Sequence, residues 1–238
     1  MKPLLIVTKQ FLAEIWSDAM LAVMVFAPIL MGCLFRFGVP ALEKYLCTRL
    51  EMSSIITPYY AVFDLVLTMM TPMMFAFSGA MVILGENDSG IARAISVTPV
   101  GRSGYLLSRV GIPALLSVVW CVIIVMLFRL TPLTAPEIIS LALISAILGI
   151  AVSLMVISLA RNKVEGLALT KLSGLALLGI PVAILVPAPA QYIAGVLPSL
   201  WMTKAIMEGE FTWMLPAFVT AVLWCALFWR QFVRKLLG

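Results

Sequence analysis

Five stretches of this chain run without a charged residue and are long enough to cross a lipid bilayer. They are Leu65–Gly85 (21 residues), Val110–Phe128 (19), Ile138–Ala160 (23), Leu172–Thr203 (32) and Phe211–Trp229 (19). Ala19–Phe35 adds a slightly short run of 17. A spanning helix needs about 20 apolar residues at about 1.5 Å rise each. Soluble cores do not tile a sequence in this way. The expected fold is therefore an all-α membrane protein with six transmembrane helices in one domain, residues 1–238. The longest connection without a span is residues 37–63, which leaves no room for a separate soluble domain.

The 32-residue run is too long for one straight span and too short for two. Pro187 and Pro189 bracket a break, and Pro198 marks another. The spacing predicts a fifth span over Leu172–Val186, then a short helix, Gln191–Leu197, dipping into the outer interface. Residues 187–203 form this outer re-entrant segment.

Six spans place both termini on one side, and charge chooses the side. With the termini in the cytoplasm, 11 of the 16 lysines and arginines face inward: Lys2, Lys9, Arg93, Arg102, Arg109, Arg161, Lys163, Lys171, Arg230, Arg234 and Lys235. The positive-inside rule therefore predicts cytoplasmic termini in a plasma membrane, the inner membrane of a prokaryote. The net charge of +5 follows from this asymmetry and requires no nucleic-acid partner. Residues 1–18 do not read as a signal peptide, because Glu14 and Asp18 interrupt the apolar stretch and no small-residue cleavage site follows. Leu4, Val7, Phe11, Leu12, Ile15 and Trp16 recur at helical spacing opposite Lys9, Gln10 and Glu14. This predicts an amphipathic elbow helix in the cytoplasmic interface, either a plain anchor or a dock for a partner.

Catalysis finds little support. The chain has no histidine, which removes the common metalloprotease, Ser-His and haem-ligand chemistries. Its four cysteines show no CxxC spacing, so no metal or redox motif is expected. Asp64, Glu86, Glu137 and Glu165 all fall at span ends, so no mid-membrane carboxylate stands out, Asp64 being the best candidate. A nucleotide-binding P-loop is also missing, since Gly-Lys-Ser/Thr occurs nowhere. The polar groups within the spans are mainly hydroxyls. Ser145, Gly149 and Ser153 repeat every four residues and give one small-residue face. That face packs within the bundle or forms a seam with a second copy. Thr68 and Thr71 in the second span are further path candidates.

The strongest local signal is the loop Glu86–Arg109. Asp88 and Ser89 suit a helix start; Ile91, Ala94 and Ile95 give one apolar face; Pro99 ends it. A short cytoplasmic helix of this kind fits a groove on another protein. At these residues the chain resembles the coupling region of type-2 ABC exporter permeases. The likeness runs through Glu86, Gly90, the apolar helix Ile91–Val97 with Arg93, Thr98-Pro99, Arg102 and Tyr105-Leu106. Asn87 departs from it, standing where the family usually has a basic residue. Asn162-Lys163-Val164-Glu165-Gly166 resembles the second cytoplasmic turn of the family. Pro187–Leu197 resembles its outer re-entrant helices, and Leu197-Pro198-Ser199-Leu200-Trp201 the stretch before its last span. The whole chain is covered, and the sequence is most similar to fluoroquinolone-type drug-export permeases.

The resemblance implies a membrane subunit with no catalysis and no cofactor of its own. ATP and Mg would be bound by a separate ATP-binding ABC subunit, reached through Glu86, Gly90, Ile91, Arg93, Ala94, Ile95, Thr98, Pro99, Arg102 and Tyr105, and through Asn162, Lys163 and Glu165. A second permease copy or paralogue and the lipid bilayer would be the other partners. Arg93, Arg102 and Arg109 would meet acidic rims on the ATPase or lipid head groups, and Glu86 would hold the loop through Arg109 or Arg161. The rival readings are a self-sufficient secondary transporter or channel and a membrane enzyme. Reporter fusions test the topology: green fluorescent protein fused after Gly238 should fluoresce, and alkaline phosphatase fused there should stay inactive.

Overall fold

The computed structural model describes residues 15–91 and 101–237, together with Lys9 and Ala13. Six of its helices are long and apolar enough to cross a membrane. They are α1 (Ala19–Leu50), α2 (Tyr60–Asp88), α3 (Gly104–Phe128), α4 (Ala135–Leu159), α5 (Lys163–Leu185) and α7 (Met214–Leu237), with a shorter α6 (Pro198–Glu208) between the last two. The described residues contain no strand. Most of the predicted elbow helix, 1–18, lies outside the described residues.

α2 and α4 form the centre of the bundle. They are 72% and 67% buried along their most apolar stretches, whereas no other span exceeds 28%. The reason lies in their small residues. A Cβ added at Gly149 on α4 would sit 3.0 Å from the Pro72 carbonyl oxygen of α2, so the two backbones touch there only because no side chain intervenes. Ser145 and Ser153 are buried on the same face. The small-residue stripe thus packs against this chain's own second span; it is not on the outer surface that a seam with a second copy would use. Thr68 and Thr71 are fully buried, and their hydroxyls donate to the carbonyls of Asp64 (2.7 Å) and Leu67 (2.8 Å) in their own helix.

Pro72 sits within α2 and has no N–H to offer the Thr68 carbonyl four residues back. That carbonyl instead accepts from the Cys121 thiol of α3 at 3.4 Å. A freed backbone acceptor at membrane depth has to find such a partner inside the protein.

Two boundaries differ from those expected. α1 runs 32 residues, well past the 17-residue apolar stretch, through a π-turn at Leu34–Gly38. Residues 37–63 are therefore no open connection. Glu43, on the extended part of α1, accepts from the Ile55 and Ile56 amides at 2.9 and 2.6 Å and from the Thr57 hydroxyl at 2.7 Å, which fastens the turn into α2. The fifth span begins at Lys163, nine residues earlier than Leu172, because Asn162 caps it by accepting from the Glu165 amide at 2.9 Å. After Leu185 the chain turns extended at Val186, forms a 3₁₀ helix over Ala190–Val196, and enters α6 at Pro198. The segment 187–203 thus divides into two pieces, and its second helix continues beyond Thr203 to Glu208.

Valine at Gly149 should force α2 and α4 apart and cost about 1–3 kcal/mol, the usual penalty of overpacking. Thermal unfolding in detergent should show a lower midpoint for Gly149→Val. Gly174→Ala, where an added Cβ meets nothing within 4 Å, should leave it unchanged.

Candidate functional site

The predicted coupling loop leaves the bundle at the end of α2 and returns at the start of α3. Arg93, Ala94, Ile95, Thr98 and Pro99 lie outside the described residues, as does the side chain of Arg102. What the structure places are the two stems. Glu86, in the last turn of α2, accepts from the Tyr105 hydroxyl at 2.9 Å and from Arg109 Nε at 3.1 Å. Arg109 Nη2 completes a two-pronged pairing with the same carboxylate. All three residues are at most 3% exposed, and the guanidinium also lies 5.8 Å from the Tyr105 ring centroid. Charges are buried at the margin of an apolar bundle only when paired and hydrogen-bonded. This cluster meets that condition with groups from both stems.

Of the two partners expected for Glu86, the structure chooses Arg109. Arg109 is consequently not available to an acidic rim or a lipid head group. Arg161 is exposed, and its backbone amide, not its guanidinium, donates to Glu165 at 2.8 Å.

Arg109 itself sits in a π-turn, Leu107–Gly111, directly before Pro113. Such single wide turns re-aim a side chain that a regular helix would point elsewhere. Beyond Glu86, Ser89 donates back to the Gly85 carbonyl at 2.9 Å and Gly90 follows with φ of +76°. That left-handed turn, open to an added Cβ on every side, reverses the chain out of α2 and leaves Ile91 half exposed.

The second predicted turn joins the first. The Lys163 amide donates to Asp88 at 2.9 Å, and its ammonium donates to Asp18 at 2.9 Å. One lysine thus ties the starts of α1 and α5 to the end of α2. The hydrogen bond from the Lys163 ammonium holds the Asp18 carboxyl below its ordinary value, against the opposing effect of burial. Phe232, near the end of α7, shares a buried cluster with Leu21, Leu84 and Ala160, so the start of α1 and the end of α7 lie at this end of the bundle.

The opposite end carries two arrangements that sequence reasoning understated. Asp64 accepts from the Leu130 and Thr131 amides at 2.8 Å each, so this carboxylate caps the α3–α4 connection, a structural duty. Lys204 on α6 is 6% exposed, 4.5 Å from the Trp213 ring centroid and 4.9 Å from that of Tyr192, and bonds the Tyr192 hydroxyl and Glu208 at 3.1 Å each. Burial draws its pKa down, but the Tyr192 and Glu208 contacts outweigh this and raise it overall. The clustering of Tyr192, Trp201 and Trp213 around one lysine was the available signal.

Six apolar helices, joined by short connections and pinned by ion pairs at one end, define a multi-pass membrane protein with no recognisable catalytic centre among the described residues. The chain belongs to the family described as fluoroquinolones export permease protein Rv2686c-like, whose model matches residues 11–232. The fluoroquinolones export permease proteins Rv2686c and MT2760 of two Mycobacterium tuberculosis strains are each 24% identical to it over 227 residues, covering 92% of this chain and 88% of theirs. No solved structure matches the chain.

Removing one partner of the Glu86–Arg109 pair should leave the other buried and uncompensated, a loss of about 3–5 kcal/mol. Glu86→Ala should accordingly melt well below the parent in detergent. The double variant Glu86→Leu with Arg109→Met should recover most of the difference.

Proposed function

We propose that this chain is the transmembrane subunit of an ATP-driven exporter and forms the path for a hydrophobic or amphipathic substrate, while a separate ABC subunit binds ATP and Mg and performs hydrolysis. The observation that carries the reading is the buried Glu86–Tyr105–Arg109 cluster. It clamps both stems of the 86–109 loop to each other at the end of the bundle where α1 starts and α7 ends. A push on a segment held only by flexible stems is dissipated. A push on one whose stems are locked together moves α2 and α3 as a unit, and α2 is a central helix. The Lys163 bridge extends that unit to α1 and α5.

In this reading the ATPase receives residues 91–99 in a surface groove, and the turn at Asn162, Lys163 and Glu165 rests beside it. The termini and this end of the bundle face the cytoplasm of a plasma membrane, and a second permease copy or paralogue completes the path. The relatives' names make fluoroquinolones the first cargo to test.

Affinity purification from native membranes should bring down an ATP-hydrolysing subunit in stoichiometric amount. Ile95→Glu or Gly90→Val should preserve the folded chain yet abolish substrate-stimulated ATP hydrolysis, because one spoils the apolar face and the other strains a left-handed turn. Transport by the isolated chain in liposomes, driven by an ion gradient without nucleotide, would instead favour a secondary transporter.

A further inference from the structure

Where α2, α3 and α4 converge, a small cavity lies between two close approaches of their backbones. Gly149 brings α4 against the Pro72 carbonyl, and a Cβ added at Gly79 would sit 3.0 Å from the Arg109 carbonyl oxygen of α3. Between these points Ala76, Ala114 and Ala146 carry side chains too short to fill the gap. The cavity offers about 10 Å³ to the centre of a water-sized sphere. That is about the least that holds one water molecule, and it admits no organic ligand. Helices α3 and α4 meet it nine residues from their ends, at Pro113 counted from Gly104 and at Ile150 counted from Leu159. Nine residues are about 13.5 Å of rise, which reaches into the hydrocarbon of a bilayer.

Ser153 sets this cavity apart. Inside a helix a hydroxyl commonly donates to the carbonyl four residues back, and Thr68, Thr71 and Ser78 all do so. The Gly149 carbonyl is the equivalent acceptor for Ser153, yet no hydrogen bond among the described residues engages the Ser153 hydroxyl. The residue is 4% exposed and lines the cavity. A buried hydroxyl without a partner is costly and calls for an explanation. Apolar cavities stay dry, whereas a buried water takes two to four polar partners. Ser117, 1% exposed and on the same lining, supplies a second partner. Its hydrogen goes to the Ala114 carbonyl at 2.7 Å, which leaves its oxygen able to accept.

We infer that this cavity is a binding site for one water molecule, which bridges Ser153 of α4 to Ser117 of α3 at membrane depth. The water accepts the Ser153 hydrogen and donates one of its own to the Ser117 oxygen. A bridge of this kind is nearly as favourable as a direct hydrogen bond. It satisfies a polar group that bulk water does not reach, inside the protein as such groups must be. The methyl end of a lipid chain would fill the space but leave the Ser153 hydroxyl unpaired. Binding of this water requires neither an ATPase nor a cargo.

The test uses the whole chain in phosphatidylcholine nanodiscs, in water enriched in oxygen-18, under a brief X-ray pulse. Hydroxyl radicals then form from bound water and oxidise the side chains beside it, which tandem mass spectrometry locates. Pro113 and Ile150 should take up oxygen-18 at least tenfold faster than Leu115, which is 67% exposed on the outer face of the bundle two residues from Pro113. Ser153→Ala should lower the uptake at Pro113 at least fivefold. Should that variant melt early, Ala114→Val, which fills the space from a half-buried position, should have the same effect. Uptake at Pro113 and Ile150 no faster than at Leu115 overturns the site: the cavity is then dry, with Ser153 turned onto its own helix, or is filled by lipid or by a side chain of a partner. Uptake that persists in both variants overturns it equally, because the oxygen then comes from elsewhere.

Discussion

A carboxylate and a guanidinium buried together set the terms for the rest of this molecule. Neither Glu86 nor Arg109 could stay inside an apolar bundle alone, and neither lies on the same helix as the other. Their pairing therefore fixes where α2 ends relative to where α3 begins. The π-turn at Leu107–Gly111 gives Arg109 its direction, and Tyr105 closes the remaining side of the carboxylate. From that fixed point the left-handed Gly90 launches the loop, and Asp88 is placed to receive the amide of Lys163. The geometry at the terminal end of the bundle follows from one interaction and its neighbours.

The bundle itself obeys a different economy. Without a hydrophobic drive between helices in lipid, close approach and internal hydrogen bonding hold spans together. Gly149 against the Pro72 carbonyl is the first device; Cys121 donating to Thr68 is the second. At the far end, polar side chains act as fasteners for connections: Glu43 for the turn into α2, Asp64 for the turn between α3 and α4, and Lys204 within its aromatic enclosure. Each satisfies backbone or charge that would otherwise be exposed to an apolar surrounding.

Much of this could be read from residues alone. Charge-free runs marked all six spans, since length and hydropathy are properties of sequence. The Glu86–Arg109 contact was legible as one of two options, but choosing it needed the π-turn, which no propensity announces. The start of α5 was missed because charged Lys163 and Glu165 hide a helix that Asn162 begins. The extension of α1 was missed for a similar reason: Arg36 and Glu43 ended the apolar run without ending the helix. The small-residue stripe showed that some helix comes close on α4. Which helix does so is a question of topology, and periodicity carries no answer to it.

The thiol of Cys121 has a consequence for how this sequence is free to drift. Its hydrogen exists to satisfy one carbonyl that Pro72 abandons, on a neighbouring span. The two positions are therefore yoked: serine in place of the cysteine keeps the debt settled, while alanine there is harmless only in a lineage where position 72 has already regained an amide hydrogen.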